Sequence, residues 1–478
     1  NSLLEKNLNK LNFKNLSYLF KNNKIILTFV AFFVIFISYL LLPTFYSQSD
    51  ISKELKIELQ KKFDVNFEFS AKIRYNFFPR PHFIITSSTI FDKKKEISKI
   101  NKLTIFVSLD NLFSFKNINI KDLIFEDANF NLSKENHNFF IQLLSKNFKD
   151  GNLTIKNSNI FFKNSEHEVL FINKIKNMKY YYDPKELKNI FVSDNEIFNI
   201  PYSIKSYFNG KKSKIFSQID LNLMKFKIEN ELTINDEKKI GKADFVLNKK
   251  KYGAGYEIKK KYFEFHIYDR KEQPSIRYKG KFNLKPFYAN LEGDLEEINF
   301  VNLFGSNAII ADLLKTEIFN SKNIDFKLEI NANYLHKNFQ FQNINFRAKI
   351  QEGLIDTDNT KFKWKNFAEF EVLESLIFVK NGELILDGKL KININDSDEI
   401  YKFLLTPKNY RNKIKQIDLN FTYNFDQNIA ELKHIKIDNI INKDVSKILN
   451  NLILKKNNLK NKIYFKNLLN EALKNYAG

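Results

Sequence analysis

The chain has 478 residues, with 77 Lys and Arg against 55 Asp and Glu for a net charge of +22, 50 phenylalanines and no cysteine. The lack of thiols excludes disulfides, thiolate metal sites and a cysteine nucleophile. The positive charge does not read as a nucleic-acid surface. Its carriers are nearly all lysines mixed with acids along the whole chain, and Arg74, Arg80, Arg270, Arg277, Arg347 and Arg411 lie far apart.

The first element is Ile25 to Leu42, an uncharged apolar run of 18 residues. At about 1.5 Å per residue, such a helix just crosses a hydrocarbon core of about 30 Å. No small-x-small cleavage site follows in Leu41-Leu42-Pro43-Thr44-Phe45-Tyr46. The run therefore reads as an uncleaved transmembrane anchor over residues 24–46 rather than a signal peptide. Lys6, Lys10, Lys14, Lys21 and Lys24 precede it against Glu5 alone, whereas charges nearly cancel beyond Asp50. The lysine excess makes residues 1–23 a basic cytoplasmic segment and puts the bulk of the chain on the far side of the membrane. The chain opens on Asn1 rather than Met, so it reads as lacking a few residues at its start.

Ile51, Leu55 and Leu59 recur at helical spacing, which predicts a helix from Ser49 to Lys62. From Val65 the period becomes two. Val65, Phe67 and Phe69, then Ile73 and Tyr75, alternate with polar residues up to the break Pro79-Arg80-Pro81. Phe83 to Ile85, Ile100 to Val107, Ile118 and Ile120, Leu123 and Phe125, and Phe130 and Leu132 continue the series, with a short helix predicted from Asn138 to Leu144. These make up a region 47–150. In 151–438 the alternation recurs through Ile219-Leu221-Leu223, Phe263-Phe265-Ile267, Ile324 to Ile330, Leu384 to Ile394 and Ile417 to Tyr423. Only Ser306 to Phe319 and the tail, 439–478, have helical spacing; the tail is amphipathic.

Period two over so many segments predicts a mainly β chain with a large, mostly antiparallel sheet, apolar on one face and polar on the other. Closed β-sandwiches are the alternative. No change of composition marks a boundary, which favours one long sheet. With only 12 Gly and 8 Pro, its hairpins must turn on Asn, Asp and Lys.

No catalytic constellation emerges. His82, His137, His167, His266, His336 and His434 are scattered and none has metal-ligand spacing. Gly253-Ala254-Gly255 opens no helix and reads as a strand turn. Asp356-Thr357-Asp358 reads as a solvated turn rather than a cation site. The chain is not read as an enzyme, and no cofactor is assigned.

In order, the anchor Ile25–Leu42, the helix Ile51–Leu59, the strand Val65–Tyr75 and the motif Phe77-Phe78-Pro79-Arg80-Pro81 resemble the amino-terminal region of the AsmA family. Leu103 to Leu132 is similar to the strands that follow there, and Asn138 to Leu144 to the next helix, with Phe139 where Trp is usual. Gly382 to Leu390 and Ile417 to Tyr423 are similar to the family's carboxy-terminal strands.

The resemblance implies an elongated antiparallel sheet curled into an open apolar groove, of the kind shared with Chorein-type lipid-bridge proteins. Short amphipathic helices close its ends. It implies a bacterial inner-membrane anchor, a periplasmic body, movement of phospholipid toward the outer membrane and a part in outer-membrane assembly. The implied partners are phospholipids, the inner membrane, and an outer-membrane or periplasmic protein at the C-terminal end; nucleic acid is not among them. The groove lining is assigned to Ile118 and Ile120, Leu221 and Leu223, Phe326 and Leu328, Leu384 and Leu386, and Leu390, Ile392 and Ile394. A periplasmic scaffold that modulates insertion of outer-membrane proteins without carrying lipid is the competing function.

Overall fold

The computed structural model describes residues 24–63, 66–92, 95–112, 118–133, 151–163, 167–209, 214–234, 239–247, 250–259, 262–269, 276–284, 287–300, 304, 309–316, 324–441, 443–450, 453–455 and 462–477. The basic segment 1–23 and the helix expected from Asn138 to Leu144 lie outside the described residues. Contacts divide the chain into two units, 1–163 with 174–193, and 164–173 with 194–478.

The first unit opens with α1, Lys24–Leu41, which runs into a tight turn at Leu42–Phe45. Over Thr28–Phe45 the mean hydropathy is 2.2 and only 11% of the window is buried. Among the described residues this is the helix long and apolar enough to cross a membrane, as a span or as a signal sequence. Helix α2, Gln48–Phe63, starts where the Ser47 hydroxyl accepts the Asp50 N–H at 3.2 Å. Ile51, Leu55, Leu59 and Phe63 recur every four residues and are all buried, as the spacing requires.

Seven strands follow: β1 Asn66–Phe69, β2 Ile73–Asn76, β3 His82–Ile85, β4 Ser88–Asp92, β5 Lys95–Val107, β6 Ile120–Leu132 and β7 Leu153–Lys163. The long β5 pairs with β4 along its first half and with β3 along its second. Their inward residues, among them Phe83, Ile85, Ile97, Ile105 and Leu123, form a closed core with the α2 stripe. The separate strands expected around Ile120, Leu123 and Phe130 are one strand, β6, which takes a positive φ at Asp127. Strands β8 (Val169–Asp183) and β9 (Lys188–Ile197) are each shared between the two units.

The second unit continues as an antiparallel meander: β10 Ile200–Asn209, β11 Lys214–Leu221, β12 Phe226–Ile234, β13 Lys239–Leu247, β14 Lys250–Ile258, β15 Tyr262–Asp269, β16 Ile276–Leu284 and β17 Phe287–Ile298. Then comes α3, Ile309–Leu314, inside the segment predicted to be helical, and β18, Ile324–Leu335. Strand β18 lies parallel to β17, and a parallel neighbour requires a crossover between the two. The same parallel step joins β6 to β7. The sheet is thus antiparallel except at these two joints among the register pairs described.

The remaining elements are β19 Asn338–Gln351, β20 Leu354–Asp356, β21 Lys361–Trp364, β22 Ala368–Lys380, β23 Glu383–Ile394, α4 Ser397–Leu404, β24 Gln416–Asn424, β25 Ile429–Ile437, β26 Ile440–Ile441, α5 Lys443–Asn450, β27 Ile453–Lys455 and α6 Lys462–Ala477. Sequence periodicity missed α4. Its signal was a cap rather than a stripe: the Asp396 carboxylate accepts the Glu399 N–H at 3.0 Å, and Tyr401 and Leu404 are buried.

All 27 strands described belong to one hydrogen-bonded sheet. Its turns use the residues expected of a glycine-poor chain, with positive φ at Lys225, Lys337, Asn381 and Asn428.

Candidate functional site: the apolar face of the second unit

Alternate side chains of a strand point to the same face, so register decides which residues share one surface. Ile204 on β10 pairs with Ile219 on β11, which pairs with Ile228 on β12, which pairs with Phe245 on β13. Phe245 pairs with Tyr252 on β14, and four residues further along β14, on the same face, Tyr256 pairs with Phe265 on β15. The line continues through Gly280 on β16, Leu291 on β17, Leu328 on β18 and Ala348 on β19. Ten consecutive strands therefore place their apolar positions on one face without a register slip that would reverse it.

The opposite face is charged. Lys227 meets Glu229 at 2.8 Å, Lys279 meets Glu292 at 3.2 Å, and Arg347 meets Glu329 at 3.2 Å. The hydrogen bond from Lys227 holds the Glu229 carboxyl below its ordinary range. For Glu329 the hydrogen bond from Asn345 lowers the carboxyl most; burial opposes it, and the hydrogen bond and charge of Arg347 keep the group below its ordinary range. Exposed pairs of this kind add little to stability. Their value here is to identify the wet side of the sheet.

Coverage of the apolar face changes along the unit. Over β18 and β19 the crossover lies on it: Phe300 and Phe304 stand 5.2 and 5.8 Å from the Phe346 ring, and Ile330 is only 1% exposed. Around β25, Tyr401 of α4, Val445 of α5 and Ala472 of α6 are buried with Ile435 and Ile437. Between these caps and β10 the picture differs. Ile219, Ile228, Phe245, Tyr256, Phe263, Phe265 and Phe282 are all only half-buried.

Glycines set the local relief of this face. Gly241 lies opposite Tyr256, and a Cβ there would meet the ring at 2.0 Å. Gly280 lies opposite Phe265, and a Cβ would meet that ring at 2.4 Å. Each ring lies down over the bare backbone of its partner strand. Adjacent rings continue the surface, with Phe226 to Phe245 at 5.6 Å and Tyr256 to Phe263 at 5.0 Å.

Of the residues assigned to the lining, Leu221, Phe326 and Leu328 lie on the traced face. Leu384, Leu386, Leu390, Ile392 and Ile394 share one face of β23. There Leu386, Leu390 and Ile392 pair with Tyr423, Leu419 and Ile417 of β24. Leu384 is closed into the same cluster as Leu328, while Leu390 and Ile392 are half-buried. Ile118 and Ile120 are in the closed core of the first unit, 5% and 2% exposed. Leu223 is not a strand residue. It stands in the turn Asn222–Met224, 70% exposed: β11 ends at Leu221, and the turn closes on Lys225 in a left-handed conformation.

Two other expectations need correction. Gly253 and Gly255 are not a turn but the middle of β14, where the Tyr268 and His266 rings of β15 cover them. Asp358 is not simply solvated. Its carboxylate accepts from Ser375 N at 2.6 Å and Ser375 Oγ at 3.0 Å. It thereby pins the bulge in β22 at which pairing passes from β21 to β20.

Sequence reasoning missed the aromatic stretch Phe226, Phe245, Tyr256 and Phe265 as a site. Its signal was glycine alternating with aromatics, as in Tyr252-Gly253-Ala254-Gly255-Tyr256. No family model and no characterised protein matches this chain.

Proposed function

We propose that this protein carries phospholipid acyl chains along the apolar face of its sheet, from an inner membrane in which α1 is anchored toward an outer membrane. The body of the chain then lies in the periplasm, and the sheet curls enough for its apolar face to act as a groove. One observation carries the reading: the apolar face is continuous in register over ten strands, yet its large side chains on β11 to β16 are only half-buried.

A folded chain gains most by closing such a face, since each buried CH₂ contributes about 0.8 kcal/mol. A face left open over six strands calls for an apolar occupant. Acyl chains fit, because they have no polar group to satisfy and can slide from one ring to the next. A bare chain of about fifteen methylenes in water costs roughly 12 kcal/mol, so an unbroken track keeps the path nearly level. Head groups would ride in water at the edge of the face. This reading includes membership of the AsmA family, an inner-membrane location with the N-terminus in the cytoplasm, and no covalent chemistry.

The test uses the alternation itself. A benzophenone amino acid is placed in the full-length protein at Ile228 or Phe265, and separately at their strand neighbours Glu229 or His266. Irradiation in membranes should give phospholipid adducts, read by mass spectrometry, at the first pair only. Absence of adducts at all four positions, with the protein folded, would favour the scaffold that acts on outer-membrane protein insertion.

A further inference from the structure

The joint between α1 and the first unit is not a linker. Only Tyr46 and Ser47 separate the turn after α1 from α2. Three tyrosines bolt the joint together. Tyr75 of β2 donates its hydroxyl to the Leu40 carbonyl at 2.8 Å. The Tyr39 hydroxyl donates to the Leu109 carbonyl and accepts the Leu112 N–H at 3.3 Å, so it bridges the turn after β5. The Tyr46 hydroxyl donates to the Leu112 carbonyl at 3.2 Å. Gln48 adds a reciprocal pair, its side-chain amide giving to and taking from the Ile73 backbone at 3.0 Å each way.

These bonds fix depth. Tyr39 and Leu40 belong to the apolar helix, whose 18 residues cover about 27 Å, barely the hydrocarbon thickness. Groups hydrogen-bonded to its last turn must sit at the level where that helix leaves the hydrocarbon. Several large apolar side chains of the first unit near those groups are uncovered. Phe78, three residues from Tyr75, is 79% exposed, and Phe77 is 39% exposed. Leu109, the acceptor of Tyr39, is 45% exposed, and Phe45 at the end of the turn is 83% exposed. On the strands of this unit, by contrast, Phe67, Phe83, Leu103, Leu123, Phe125 and Phe130 are closed into the core. Exposed Phe and Leu side chains beside a span gain by burial at the boundary between acyl chains and head groups, and Tyr39, Tyr46 and Tyr75 are of the kind enriched at that level.

We infer that Phe45, Phe77, Phe78 and Leu109 form a membrane-docking surface, immersed in the leaflet from which α1 emerges. The partner is the lipid of that same bilayer, and the first unit is held on it rather than tethered above it. The inference rests on reading α1 as a span. In the proposed conduit it gives lipids of that leaflet a fixed protein surface to meet without an aqueous gap.

The chain has no cysteine, so single substitutions can be spin-labelled without removing any native residue. Phe33→Cys, Phe78→Cys and Leu109→Cys are labelled with a nitroxide in the full-length protein, reconstituted in phosphatidylethanolamine–phosphatidylglycerol nanodiscs. Accessibility to oxygen and to a water-soluble nickel chelate is then measured by power saturation. The oxygen-to-nickel ratio should be several-fold above that of free label at all three positions, and highest at 33. If position 33 shows that preference while 78 and 109 match free label, the docking surface is wrong and the anchor stands. If position 33 also matches free label, the span itself is wrong, and this inference falls with it.

Discussion

Lys315 and Asp426 form an ion pair at 2.6 Å that ties the residue after α3 to the turn between β24 and β25. The other oxygen of Asp426 accepts the Leu384 N–H at 2.7 Å, at the start of β23. Beside this pair, Phe304 contacts Phe346 of β19 at 5.8 Å and Phe425 at 5.6 Å. The crossover from β17 to β18 therefore straps the apolar face from β19 to the β24–β25 turn. It turns part of a continuous surface into a closed core and leaves the rest open.

Removing the main clamp of that strap should be costly. Phe304 is 4% exposed, and Phe304→Ala deletes both ring contacts. A loss of about 3 kcal/mol is expected, in the usual range for buried Phe→Ala. Lys315→Ala should cost no more than about 1 kcal/mol, since the ion pair is partly exposed. Urea melts followed by hydrogen exchange of β19 and β23 amides would check both. Equal effects of the two substitutions would mean that charge, not packing, holds the strap.

The strap should also loosen in acid. Burial tends to raise the Asp426 carboxyl, but the hydrogen bonds from Lys315 and the Leu384 backbone and the Lys315 charge outweigh it and hold the group below its ordinary range. A carboxyl depressed in the folded state stabilises the fold above its unfolded value, about 4. That stabilisation is lost as pH falls through the lower folded value. Amide protection at Leu384 should thus drop as pH falls below about 4, the reference value for Asp. Asp426→Asn should flatten that dependence. An unchanged pH profile in Asp426→Asn would show that other carboxylates control it.

The strands were legible because one face meets water. Phe226-Lys227-Ile228-Glu229 alternates, and Lys227 and Glu229 do pair on the wet side. The α2 stripe was legible for the same reason. What escaped was set by partners distant in sequence. Nothing local in Gly253 or Gly255 tells that Tyr268 and His266 will lie over them. Nothing near Asp358 announces Ser375, 17 residues away. Coverage was the least legible property. Ile330 and Ile228 look alike in sequence, but only Ile330 lies under the strap, a contact set by the parallel joint of β17 and β18.

The glycine–aromatic pairs give a third prediction. In Gly280→Ala the new Cβ would meet the Phe265 ring at 2.4 Å and the Asn290 carbonyl at 2.9 Å, so the ring must lift off the strand. Overpacking of this sort costs about 1–3 kcal/mol. Adding Phe265→Leu should return part of it, which a double-mutant cycle measures as a coupling of at least about 0.5 kcal/mol between contacting residues. Strict additivity would show that the ring does not rest on Gly280.

The last prediction separates open from closed parts of one face. Ile228 on β12 and Ile392 on β23 are half-buried, whereas Ile330 on β18 is 1% exposed. A carboxylate at Ile228 or Ile392 keeps part of its hydration, so Ile228→Asp and Ile392→Asp should fold with losses of no more than about 2 kcal/mol. Ile330→Asp places an uncompensated charge beneath Phe300 and Phe304 and should unfold the second unit, a penalty of several kcal/mol. If acyl chains occupy the open face, the two tolerated variants should still lose phospholipid crosslinking from a benzophenone at Phe265 or Leu390, because a charge in the track restores the barrier that the track removes. Thermal melting and crosslinking are read on the same samples. Retained folding with lost lipid contact is the expected pair of results. Unfolding of all three variants alike, with no lipid on the parent protein, would replace the conduit with a packed β-scaffold.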